Sequence, residues 1–146
     1  MKRLLLACWL ACHASWSTAA DYDLIIENAR IIDGSGNPWF HDDIAIAGDR
    51  IAGIGDYGAG STITRIDGTG LYATPGFIDT HSHTSDALLD KDRGDVPGLL
   101  SQGITAVLIN PDGGGSAAIA DQVATLRQHG TGVNVGLFIP HGDVRR

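Results

Sequence analysis

The sequence predicts an α/β chain in two parts: a small antiparallel β unit over residues 21–74, then a parallel sheet interleaved with helices over residues 75–146. Three observations carry that reading. Residues 22–74 hold alternating isoleucines broken by glycine, with no sustained 3.6-residue period. Residues 75–139 alternate apolar, β-rich runs with helix signals, the order of strand–helix–strand units joined by right-handed crossovers. Polar residues able to bind metal then gather where each of three such runs stops: Asp79, His81 and His83; Asn110 and Asp112; His141 and Asp143. In α/β folds the ends of parallel strands are where active sites sit.

Residues 1–20 are set apart as a secretory signal peptide. Lys2 and Arg3 form a basic start, an apolar run follows from Leu4 to Ala11, and small residues lead to a cleavage site after Ala20. The apolar run is less than half of the roughly 20 residues a membrane span needs, so no stable membrane insertion is expected once the signal is removed. A lipoprotein signal modified at Cys12 is the secondary reading. Export to the periplasm or beyond is the expectation, and both cysteines, Cys8 and Cys12, leave with the signal. Loss of Lys2 and Arg3 leaves 8 basic against 17 acidic residues, a charge near −9, which argues against nucleic acid as a partner.

Within the first part, residues 23–34 make an extended pair of runs. Residues 43–55 form a hairpin about Gly48-Asp49, with Ile44, Ile46, Ile51 and Ile54 alternating. Short strands are expected at residues 63–66 and 71–73. Residues 33–40 read as a loop whose Trp39 and Phe40 serve packing or an exposed contact.

In the second part, Pro75-Gly76 is a turn that delivers Phe77 and Ile78 into a short buried strand. Ser85 is expected to cap a short helix through Asp90. Pro97 opens another that stops at Gly103. Residues 104–110 are a buried parallel strand, Ser116 caps a helix over residues 117–129, and residues 133–139 are a third buried strand. If the H-x-H segment is extended, His81 and His83 share a face with Cα atoms roughly 6.5–7 Å apart, close enough to converge on one ion. Imidazole with carboxylate suits zinc or a similar divalent ion, and Asp79 is placed to orient the His81 ring from behind. His41 and His129 look like surface positions.

The string P-G-F-I-D-T-H-S-H at residues 75–83, between a small β part and an α/β run, resembles the metal-dependent amidohydrolase superfamily. The stretch S-Q-G-I-T-A-V from Ser101, with V-N-V from Val133 and H-G-D-V-R-R from His141, is similar to its N-acyl-D-amino-acid deacylase (D-aminoacylase) branch. The resemblance implies the first three or so strands of a (β/α)8 barrel preceded by a β-sandwich, with Zn2+ as cofactor in one or two copies. It makes His81 and His83 metal ligands. Asp112, in Asn110-Pro111-Asp112-Gly113, falls where the branch often has a cysteine ligand. Asp79, Asn110 and His141 are implied to stand behind the ligands or on the substrate side. The activity implied is hydrolysis of C–N bonds other than peptide bonds, with an N-acyl-D-amino acid as the small-molecule substrate. No catalytic general acid–base carboxylate is assigned here; it is expected beyond Arg146, which makes this chain the inactive N-terminal portion of a longer enzyme. Two alternatives stand beside this one: a dihydroorotase-like or dipeptidase-like amidohydrolase, and a non-catalytic exported metal-binding module.

Overall fold

The computed structural model describes residues 20–145, so the expected signal segment and both cysteines lie outside the described residues. The chain divides between Ala73 and Thr74 into two compact units. No helix among the described residues is long and apolar enough to cross a membrane.

The first unit is one five-stranded sheet: β1 (Tyr22–Ile31), β2 (Phe40–Ala47), β3 (Arg50–Gly55), β4 (Thr62–Asp67) and β5 (Tyr72–Ala73). The order is β3-β2-β1-β4, with β5 also paired to β1. The hairpin forms as expected, with Ala47 opposite Arg50 and Gly48 at φ +59°, a conformation that glycine adopts without steric cost. Direction is where the expectation fails, because β4 and β5 run parallel to β1, with Leu24 opposite Thr64 and Arg30 opposite Tyr72. Period-two patterning marks a strand but says nothing of its direction. Residues 56–61 cross to the far side of β1 instead of reversing onto β3, and Phe40 joins β2 instead of the preceding loop.

The two runs expected in residues 23–34 are one strand with a bulge. The register slips between Ile26 and Ala29, and Asn28 takes φ +58°. The Asn28 N–H donates to Asp43 Oδ1 at 2.9 Å, and the Gly68 N–H donates to Glu27 O at 2.7 Å. The core is small: Ala29, Ile31 and Ile44 cluster with Ile26, Ile46 and Ala73 packed on them, and Ile25 and Ala45 are fully buried as well. Ile51, Ile54, Ile63 and Ile66 are exposed.

The second unit holds β6 (Phe77–Asp79), α1 (Ser85–Leu88), α2 (Pro97–Leu100), β7 (Ile104–Ile109), α3 (Ile119–His129), β8 (Asn134–Leu137) and α4 (His141–Val144). Its three strands pair in the order β6-β7-β8, all parallel. Leu88, Val96, Val107, Ile109, Leu126 and Val133 form the core. Full burial of each such side chain contributes about 1.5–3 kcal/mol. The apolar stripe of α3 follows helical spacing at Ile119, Val123 and Leu126, and includes one polar member, Gln122, also buried.

Several local expectations change here. Phe77 and Ile78 are exposed, because no helix among the described residues packs over them as the core packs over Val135 and Leu137 of β8, and Phe138 and Ile139 lie past the end of β8 and are exposed too. The residue ahead of α1 is Thr84, not Ser85. Helix α3 starts at Ile119, because the Ser116 hydroxyl accepts the Ala118 N–H at 3.1 Å and closes a turn before the helix. Helix α2 is a single turn, ending at Leu100 ahead of Gly103, which takes φ +77°.

Candidate metal centre

Strand β6 ends at Asp79, so both histidines lie in the loop beyond it. Asp79 Oδ1 accepts the backbone N–H of His81 at 3.0 Å. Asp79 therefore turns the chain; the expected contact with the His81 ring gives way to one with its backbone, since a carboxylate reaches the N–H two residues on more readily than the ring. One residue later the Ser82 N–H donates to Leu108 O at 3.0 Å, pinning the loop to β7. Ser82 is buried, and its hydroxyl shares a 2.8 Å hydrogen bond with that of Thr84. With the middle residue of H-S-H turned in, His81 and His83 both turn out, their ring centroids 5.4 Å apart and inclined at 58°.

Asp112 comes from the end of the neighbouring strand. After Ile109 the backbone enters the left-handed region at Asn110 (φ +62°), passes Pro111, and returns to it at Asp112 (φ +59°) and Gly113 (φ +72°). Asn and Asp tolerate this conformation better than other side chains. Asp112 Oδ2 then stands 3.3 Å from His81 Nε2 and 3.4 Å from His83 Nε2. The donor edge of a tetrahedral zinc site with bonds of about 2.05 Å is about 3.3 Å. One ligand atom from each of the three residues lies within 4.8 Å of the others, and all three are exposed to an approaching ion. Two imidazoles and one carboxylate are a donor set for zinc or another borderline divalent ion.

Two hollows flank Asp112. One, of about 410 Å³, is lined by Thr80, His81, Asp112, Phe138, Ile139 and His141. The other, of about 560 Å³, includes His83, Asp86 and the glycine loop up to Ser116. His141 opens α4 with its ring against Gly113, where an added Cβ would come within 2.4 Å of Cε1. It faces the first hollow but stands outside the converging group. Asn110 lines both hollows yet is itself buried. Its amide nitrogen donates to Gln122 Oε1 at 2.9 Å and to Phe138 O at 3.3 Å, and its carbonyl oxygen is buried without a partner among the described residues. An unmatched acceptor of this kind costs about 1–3 kcal/mol. Of the other two histidines among the described residues, His41 packs edge-on to Trp39 in the first unit and His129 is exposed at the end of α3. Sequence reasoning missed Gln122 and Ser82. The available signal for Gln122 was an amide inside an otherwise apolar helical stripe.

No family model matches the chain. A D-aminoacylase from Alcaligenes xylosoxydans xylosoxydans is 34% identical across 90% of this chain and 31% of its own length. Among solved structures, a D-aminoacylase with a binuclear metal centre superposes with a TM-score of 0.77 at 30% identity, over 85% of this chain and 31% of that one. An N-acyl-D-glutamate deacylase from Bordetella bronchiseptica, solved with zinc and a phosphonate inhibitor, gives 0.73 at 29% identity over 85% and 30%. The chain spans about a third of the length of the proteins it matches.

Proposed function

We propose, from the premise that this chain belongs to the metal-dependent amidohydrolase superfamily alongside the D-aminoacylases, that it carries the first metal ligands of a hydrolase for N-acyl-D-amino acids. The observation that carries the reading is the convergence of His81, His83 and Asp112 at the spacing of a tetrahedral ion's donors. Those three residues would hold Zn2+. Bound there, such an ion supplies Lewis acidity that polarises an amide carbonyl and acidifies water.

The remaining groups of the first hollow serve the substrate in this reading. Phe138 and Ile139 offer apolar surface suited to an acyl chain, while Thr80 and His141 offer polar groups for the amino-acid end. The exposed, water-facing position of the three ligands suits a small soluble substrate. Export belongs to the same proposal and rests on the pattern of residues 1–20. N-terminal sequencing of the exported protein is expected to begin at Asp21.

Metal binding is the direct test. The protein should bind zinc stoichiometrically, by calorimetry and by metal analysis after gel filtration, and His81→Ala with His83→Ala should abolish it. The protein carrying this segment should release amino acid from N-acyl-D- and not from N-acyl-L-amino acids. Equal zinc binding by the variant lacking His81 and His83 would end the metal reading; activity on cyclic amides alone would move the assignment to a dihydroorotase-like hydrolase.

A further inference from the structure

We infer that Asn110 and Gln122 form a positioning pair for the metal centre, a clamp that holds Asp112 at the imidazoles without touching the ion. The inference rests on the reading of His81, His83 and Asp112 as metal ligands. Asn110 is two residues ahead of Asp112, and the only residue between them is Pro111, itself buried with a fixed φ. Whatever fixes Asn110 therefore fixes the course of the chain into Asp112.

Three elements grip that side chain. Strand β7 delivers it, α3 receives its amide nitrogen through Gln122 Oε1 at 2.9 Å, and the segment after β8 receives the same nitrogen through Phe138 O at 3.3 Å. Phe138 O can only accept, so the nitrogen must face it and the amide has one orientation. The Asn110 carbonyl oxygen is then directed at Gly115, where an added Cβ would fall 2.6 Å away. The glycine loop leaves room for this arrangement and for nothing bulkier.

Gln122 is the independent sign that the pair is more than packing. It occupies the stripe position between Ile119 and Leu126 where helical spacing calls for an apolar side chain. An aliphatic residue there would bury more apolar surface and suit the helix equally. A buried amide fits that place if its acceptor is needed to hold Asn110. Groups that fix a ligand's orientation from behind commonly change metal affinity by 10–100-fold.

The test compares zinc affinity with fold stability in two variants. Gln122→Leu removes the acceptor and suits the stripe. Asn110→Gly removes the side chain and tolerates φ +62°. Calorimetric zinc titration should show affinity reduced at least about 10-fold in each. Cobalt substitution should show an altered d–d spectrum, a change that the lower unfolding temperature expected of the metal-free Gln122→Leu protein, with one Asn110 N–H left unpaired, would not by itself produce. Wild-type affinity and an unchanged cobalt spectrum in either folded variant would overturn the clamp. Failure of both variants to fold would also overturn it, making the pair a determinant of fold alone. If the unaltered protein binds no zinc, the metal reading itself fails, a result separate from either.

Discussion

One carboxylate of the second unit is handled unlike those of the first, and the difference shows how a turn former becomes a ligand. In the first unit, acidic side chains are taken up by nearby backbone. Asp43 accepts the N–H groups of Asn28 and Tyr57, Asp33 that of Ser35, Asp56 that of Gly58 and Asp67 that of Thr69. Glu27 pairs with the Arg65 guanidinium. In the second unit, Asp79 and Asp90 do the same for His81 and Asp92. Asp112 does not. The N–H it would ordinarily attract, that of Gly114 two residues on, donates instead to Pro111 O at 3.1 Å. With its own turn closed by a backbone carbonyl, the Asp112 carboxylate turns to His81 and His83. A carboxylate that closes its own turn is a poor ligand; one whose turn is closed for it is available to an ion.

The largest test of this contrast is exchange of the two kinds of aspartate. Asp112→Ala should lower zinc affinity by more than the roughly 100-fold that outer groups can account for, with a loss of stability no greater than the cost, about 1–2 kcal/mol, of holding alanine at φ +59°. Asp43→Ala should do the reverse. It strips the acceptor from the exposed Asn28 N–H and the part-buried Tyr57 N–H, for about 0.5–1.5 kcal/mol of stability per bond in a denaturant titration, and leaves zinc affinity unchanged. If Asp43→Ala weakens zinc and Asp112→Ala does not, the division of roles is wrong.

A smaller effect is expected at Gly113. Alanine there must adopt φ +72°, at about 1–2 kcal/mol, and its Cβ would displace the His141 ring. Zinc affinity should drop by less than for Asp112→Ala, because His141 is not among the converging donors. A Gly113→Ala protein with unchanged stability would mean that the Asp112 turn relaxes readily.

How much of this was legible beforehand follows from what patterning encodes. The hairpin at Gly48-Asp49 was readable because a two-residue turn joining alternating runs fixes its own register. The parallel course of β4 and β5 was not, since strand direction depends on a connection whose path residues 56–61 do not announce. At the site, the His81–His83 pair stood out by residue type and spacing, Asp112 as a ligand only through the resemblance that puts it at a cysteine ligand's position, and the structure brings the three together. The means differed from expectation: the histidines share a side because Ser82 is anchored inward, not because a strand continues through them. Gln122 went unread because a single polar residue in a helical stripe is visible only once the helix start is known, and Ser116 pointed to a start two residues too early. The buried strand expected at Phe77-Ile78 depended on what packs over the sheet, which no local window contains.

The smallest expected effect lies in the turns themselves and shows up in pH. The Thr69 hydroxyl and N–H hold Asp67 below its ordinary carboxylate range, and the Ser35 hydroxyl and N–H do the same for Asp33. In Asp90 the Asp92 N–H is the main cause, with Arg93 adding to it. A carboxyl whose pKa is lower in the folded state binds its proton more weakly there than in the unfolded chain. Its contribution is therefore complete above the unfolded value near 3.8 and is lost as pH falls through the folded one. Asp33 and Asp67 are exposed and Asp90 is partly so, so solvent screens the contribution and the readout is better taken from the carboxyls than from global stability. Carbon-detected NMR titration should place Asp67 below an ordinary aspartate, and Thr69→Ala should move it back up, because the largest of its causes is then gone. An unmoved Asp67 would mean that the backbone N–H alone fixes the turn, making the first unit's carboxylates still more strictly backbone partners than the contrast with Asp112 requires.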